Sequence, residues 1–170
     1  MESRFEGLLV DLVRAKVDFL VVGGIAVGLS GIVRATDDLD LLIDGSRDNV
    51  ERLLGVLRGV GEGHARELAP EDFTAEEGAI RVIEDFPIDL FVRMSGLMYA
   101  DLVGERREFA VHGATVPYLG PAGLIRLKER SLRPRDRDDV ARLRGLLPAA
   151  PPRRSPFRRM LDRLLRRPLR

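Results

Sequence analysis

The sequence predicts an α+β domain built on a twisted mixed sheet flanked by helices. Three observations predict it. Stretches with helical apolar spacing are interleaved with short β-rich runs. Several of those runs follow one another with no helix between them, which a regular βαβ array does not do. Two of the runs carry aspartates where strands normally carry core residues.

Taken in order, Phe5, Leu8, Leu9, Leu12 and Val13 recur at helical spacing, so residues 4–15 read as an amphipathic helix. Val17 to Val22 is a short buried strand, ended by Gly23-Gly24, and Ile25 to Leu29 is a short helix closed by Ser30-Gly31. Leu39 to Ile43 is a second strand. Ser46 is placed to cap a helix from Arg47 to Arg58 with Val50, Leu53, Leu54 and Leu57 inward. Gly59 to Gly78 is polar, rich in glycine and gives no clear element. Ala79 to Glu84 alternates as a strand, and Pro87 to Val92 is a further strand. Glu108–Val111 and Ala114–Pro117 flank His112-Gly113 as a hairpin. Leu119–Ser131 and Asp138–Leu147 read as helices on either side of Arg133-Pro134, and there is no internal repeat.

The chain divides into a folded body, residues 1–147, and a Pro-rich linker with a basic amphipathic helix, residues 148–170. Its length of 170 residues suits one domain. The net charge of +1 hides an asymmetry: from Pro151 onward eight arginines face one acid, so the rest of the chain is acidic. Phe157, Met160, Leu161, Leu164 and Leu165 form an apolar stripe on that basic tail. The tail reads either as a contact for nucleic acid or a membrane surface, or as a helix docked on the body or on a second copy.

With no cysteine, disulfides, zinc–thiolate sites and cysteine nucleophiles are excluded. The two histidines, His64 and His112, are far apart in sequence, so any metal is expected on oxygen ligands. The longest uncharged run, Phe19 to Val33, is short of a membrane span. Glu2, Arg4 and Glu6 stand where a signal peptide would carry a basic start and an apolar run, so a cytoplasmic protein is expected.

Gly23-Gly24, between a strand and a helix, is the kind of turn that approaches phosphate closely. Gly23, Gly24 and Gly28 do not fit G-x-G-x-x-G, and Leu29 stands where a Walker A loop needs lysine. A tight turn with no ligand is an equal reading of the glycines alone. Asp38 and Asp40, two apart on a strand, put both carboxylates on one face, and Leu39, Leu41 and Ile43 take the other. Such a pair repels itself and persists readily around a divalent cation, with Mg²⁺ the natural partner of an all-oxygen donor set. Asp89 adds a third carboxylate, flanked by Ile88 and Leu90. The rival reading is a solvated edge strand, which accounts poorly for two strands bearing Asp.

Gly23-Gly24, a thirteen-residue spacer, Asp38-x-Asp40 and the later Asp89 together resemble the DNA polymerase beta nucleotidyltransferase superfamily. The stretch GGIAVGLSGIVRATDDLDLLI, and GLIRLKERSLRPRDRDDVARL after it, is similar to the small bacterial AbiEii-like members, which include toxin components of toxin–antitoxin systems. The resemblance spans residues 17 to about 147 and leaves out the tail. It implies a polymerase-beta-type fold. It also implies that Gly23 and Gly24 contact NTP phosphates, that Asp38, Asp40 and Asp89 bind Mg²⁺ or Mn²⁺, and that Asp89 also activates the attacking hydroxyl. Arg34, Thr36 and Lys128 are then nucleotide-binding candidates, although Arg34 and Lys128 read equally well as surface residues. Asp136 and Asp139 orient Lys128 or Arg135, or are simply first-turn helix acids. Arg135 departs from the lysine that the resemblance leads one to expect.

The implied activity is Mg²⁺-dependent transfer of an NMP from an NTP to an acceptor hydroxyl on RNA, a protein or a small molecule, with an antitoxin as a candidate partner. The competing expectation is a catalytically inactive nucleotide-binding or partner-binding module that keeps the fold.

Overall fold

The computed structural model describes residues 5–148; the basic tail and the apolar stripe read from the sequence lie outside the described residues. The apolar spacing near the N-terminus produces helix α1 (Glu6–Arg14), which buries Leu8, Leu9, Val10 and Leu12. Strand β1 (Phe19–Val21) is short and wholly buried. It is followed by α2 (Gly23–Leu29), β2 (Leu39–Ile43) and α3 (Arg47–Leu57), then by two 3₁₀ turns at His64–Glu67 and Pro70–Asp72. Strands β3 (Ile80–Ile83) and β4 (Pro87–Phe91) form a hairpin. A two-residue pair follows, β5 (Arg93–Met94) and β6 (Leu97–Met98), then α4 (Tyr99–Leu102) and a 3₁₀ turn at Val103–Glu105. The hairpin of β7 (Arg106–Val111) and β8 (Ala114–Leu119) leads to helices α5 (Pro121–Lys128) and α6 (Pro134–Leu146).

Six strands make one sheet in the order β3-β4-β2-β1-β8-β7. The sheet is mixed: β2 runs parallel to β4 and β1 parallel to β8, and the remaining neighbours are antiparallel. The α+β reading is therefore correct, and the strands that carry Asp40 and Asp89 are adjacent and central. The core lies on the sheet. Leu39, Leu41, Leu42 and Ile43 of β2 are all fully buried, and α3 contributes Val50, Leu53, Leu54 and Leu57.

Several boundaries differ from the sequence reading. The glycine pair opens α2 instead of preceding it, because Gly23 takes φ +62° at the strand–helix junction, a conformation that costs glycine little. Ser46 holds the N-cap position of α3, but its side chain makes no capping bond. Gly59 to Gly78 is mostly turns, held in part by Glu84, whose buried carboxylate accepts hydrogen bonds from the Gly63 and Ala65 amides at 3.0 Å. The final hairpin is longer than expected; its turn residues His112 and Gly113 both have positive φ, which matches the twist of two-residue hairpins. Helices α5 and α6 each begin with proline at the first turn, where its missing N–H costs no helical bond.

One buried polar side chain ties the sheet to α3. Asn49 is fully buried. It accepts the Asp18 amide at 2.7 Å and donates to the carbonyls of Asp18 at 2.9 Å and Asp44 at 2.8 Å. Asp18 precedes β1 and Asp44 follows β2, so this amide clamps the open end of that pair. Asn49→Leu strands these backbone groups and is expected to lower stability by about 3 kcal/mol, measured as a shift of the urea midpoint at unchanged slope.

Candidate active site

The site follows from strand parity and register. On β4, Ile88 and Leu90 point into the core, so Asp89 faces the other way, and it is still only 7% exposed. The parallel register sets Asp40 directly beside Asp89, on strands about 4.8 Å apart. Asp38 stands one residue ahead of β2 and is half-buried.

From the other side of β4, the antiparallel register sets Arg81 of β3 beside Asp89. Its guanidinium grips both oxygens of Asp89, with Nε donating to Oδ1 and Nη2 to Oδ2, each at 2.7 Å. Nη2 also donates to Asp38 Oδ2 at 3.2 Å. These bonds raise the Arg81 guanidinium above its already high ordinary value.

The glycines make room for the acids. A Cβ on Gly23 would lie 1.8 Å from Asp40 Oδ2, and one on Gly24 would lie 2.8 Å from the Thr36 side chain. The Val22 amide donates to the Asp40 carbonyl at 2.9 Å. Burial pushes the Asp40 carboxyl up to about 6; the charges of Asp89 and Asp38 add to the rise, while the Gly24 amide and Lys128 oppose it.

A second cluster lies on α5 and α6. Lys128, buried, donates to Asp136 Oδ1 at 2.7 Å and Asp139 Oδ2 at 2.8 Å. Arg34 Nη1 donates to both oxygens of the buried Asp139 at 2.5 Å, and the Arg34 Nε is buried without a hydrogen-bond partner among the described residues. Burial raises Asp136, yet the bonds from Lys128 and Ser131 hold it below the ordinary carboxylate range. The acids of α6 therefore do orient Lys128, and Asp139 binds Arg34, while Arg135 is exposed on the cleft wall.

Both clusters open onto one cleft of about 840 Å³. Gly23, Gly24, Arg34, Thr36, Asp38, Asp40, Asp89 and Lys128, separated by as many as 105 positions, all line it. The residue missed in the sequence is Arg81. Its signal was present: Arg81 and Asp89 lie symmetrically about Asp85 at the middle of the β3–β4 turn, which pairs them across the hairpin. Glu77, whose carboxylate accepts the Ser95 and Gly96 amides, was also missed, because nothing in the polar stretch 59–78 marked it.

No protein-family model matches the chain, and no curated protein matches it in sequence. Among solved structures, it is similar to a provisionally named nucleotidyltransferase from Thermotoga maritima, with TM-score 0.52 and 17% identity over 82% of this chain and 87% of that one. It is also similar to an antigenic nucleotidyltransferase-like protein from Paracoccidioides brasiliensis, with TM-score 0.49 and 17% identity over 96% of this chain and 88% of that one. The first likeness shows the fold, a mixed sheet flanked by helices of the nucleotidyltransferase type.

A carboxyl raised by folding stabilises the protein at low pH, and that stability is lost as pH climbs from the unfolded value near 4 through about 6. In the presence of chelator, Asp40→Asn is therefore expected to be more stable than the parent at pH 7.5 by about 1–3 kcal/mol. The difference should shrink toward pH 4.5, as read by urea unfolding at each pH.

Proposed function

We propose that this chain is a divalent-metal-dependent nucleotidyltransferase that moves an NMP from an NTP to an acceptor hydroxyl. The observation that carries the reading is the in-register pairing of Asp40 with Asp89 on parallel strands, with Asp38 beside them in the cleft. A solvated edge strand does not account for two carboxylates set side by side on neighbouring strands within the sheet, one of them raised to about 6 by burial and by its acidic neighbours.

The donor set fits Mg²⁺ or Mn²⁺. The acids offer only carboxylate oxygens, and a divalent charge would offset both the burial of Asp40, the main cause of its rise, and the repulsion from Asp89 and Asp38. Among the described residues no three acids or histidines stand ready-grouped around an ion, and Arg81 now holds Asp38 and Asp89. With the ion on Asp38, Asp40 and Asp89, its charge stabilises the phosphoryl oxygens during transfer. Asp89 takes the proton of the acceptor hydroxyl, whose oxygen bonds to the α-phosphorus as pyrophosphate leaves. In this reading Gly23, Gly24, Arg34, Thr36 and Lys128, which all line the cleft, contact the triphosphate. Asp136 and Asp139 hold the Lys128 ammonium in position.

Sequence resemblance supports the finer assignment: an AbiEii-like enzyme of the cytoplasm, in a toxin–antitoxin pair, acting on RNA, a protein or a small molecule. It also leaves the basic tail for a partner or a second copy. No helix among the described residues is long and apolar enough to cross a membrane.

The test is to incubate the protein with each α-labelled NTP, Mg²⁺, and total cellular RNA or protein. One NTP is expected to label one acceptor class. Asp40→Asn and Asp89→Asn should each lower that labelling by at least about 100-fold. Undiminished labelling by both variants would place the chemistry elsewhere.

A further inference from the structure

Arg81 spends three hydrogen bonds on two of the acids assigned to metal. It does so from the edge strand of the sheet, with a side chain 52% exposed, so neither backbone nor core packing locks it in place. It lies between two cavities. It lines the acidic cleft, and it also lines a separate groove of about 370 Å³, shared with His64, Glu67 and Leu68. Glu67 is exposed and takes part in no ion pair among the described residues. Arg81 and the acid Glu67 thus line the same groove.

Resting on the nucleotidyltransferase reading, we propose that Arg81 is the counter-ion of the metal-free site and exchanges with the divalent cation. Ion binding drives its guanidinium off Asp38 and Asp89 into the groove beside Glu67. Two cations compete for the same oxygens. A metal requires short bonds to Asp38 and Asp89, and the fork now fills both oxygens of Asp89 at 2.7 Å. Keeping both would set a guanidinium against a divalent ion, and like charges in a cleft repel. The exchange leaves the net attraction for the ion weaker than three bare aspartates would provide. Arg81 is accordingly the residue that sets metal affinity, without itself touching the reacting atoms. Arginine suits the part better than lysine, since only a planar fork grips one carboxylate by both oxygens and still reaches a second.

The experiment is a Mn²⁺ titration of the full chain at pH 7.5, followed by the loss of the free-ion EPR signal and by calorimetry, without nucleotide. Arg81→Gln is expected to tighten Mn²⁺ binding by about tenfold, and Arg81→Lys by less, since it keeps the charge and loses the fork. Glu67→Gln, which removes the acid from that groove, should weaken binding by about threefold. Unchanged or weaker binding in Arg81→Gln, with the parent still binding Mn²⁺ at Asp40, would overturn the exchange and leave the enzyme reading standing. No Mn²⁺ binding by either parent or Arg81→Gln would overturn both.

Discussion

Two carboxylates set side by side on neighbouring strands repel each other, and the rest of the site is arranged around that repulsion. The parallel pairing of β2 with β4 places Asp40 beside Asp89. Four features make the pairing tolerable. Gly23 leaves open the space that the Asp40 carboxylate fills. The Gly24 amide and the Lys128 charge draw Asp40 back toward its ordinary value. Arg81 neutralises Asp89 and reaches Asp38. Burial, with the charges of Asp89 and Asp38 added to it, still holds Asp40 up at about 6. The cation proposed for this site would offset the cost of that arrangement on binding.

The second cluster is the counterpart of the first. Arg34, Lys128, Asp136 and Asp139 balance one another in charge, and the two most buried, Lys128 and Asp139, are bonded directly. Removing one partner from a buried pair is costlier than the pair is beneficial. The cluster is therefore better understood as a fixed wall, joining the loop ahead of β2 to α5 and α6 and aiming Lys128 at the cleft. Around it Arg130, Arg133 and Arg135 stand exposed on the rim, in no ion pair with any described residue. Bonded charges thus form the wall, and solvent-exposed arginines form the rim above it.

Much of this was legible in the sequence, for identifiable reasons. Asp38, Asp40 and Asp89 were conspicuous because charge inside an apolar strand violates the period that burial imposes. Their convergence followed once the strands were taken as neighbours. Arg81 escaped because an arginine in an alternating strand such as Ala79–Glu84 looks like an ordinary solvent-facing residue, and only the hairpin register reveals its partner. The helix start at Gly23 was misplaced because glycine was read as a terminator, when its positive φ let the turn and the helix begin together. The stretch 59–78 gave nothing, since its order comes in part from the buried Glu84 carboxylate, about twenty residues beyond Gly63 and Ala65, and no local periodicity records that.

The central claim is that Asp38, Asp40 and Asp89 together hold a divalent ion against a nucleoside triphosphate. Crystals grown with Mn²⁺ and a non-hydrolysable NTP analogue test it most directly, through the anomalous signal of the metal. The account places that signal about 2.1 Å from oxygens of all three aspartates, with the triphosphate beside Gly23 and Gly24. Nucleotide bound in the cleft with no metal on Asp40 or Asp89 would contradict it.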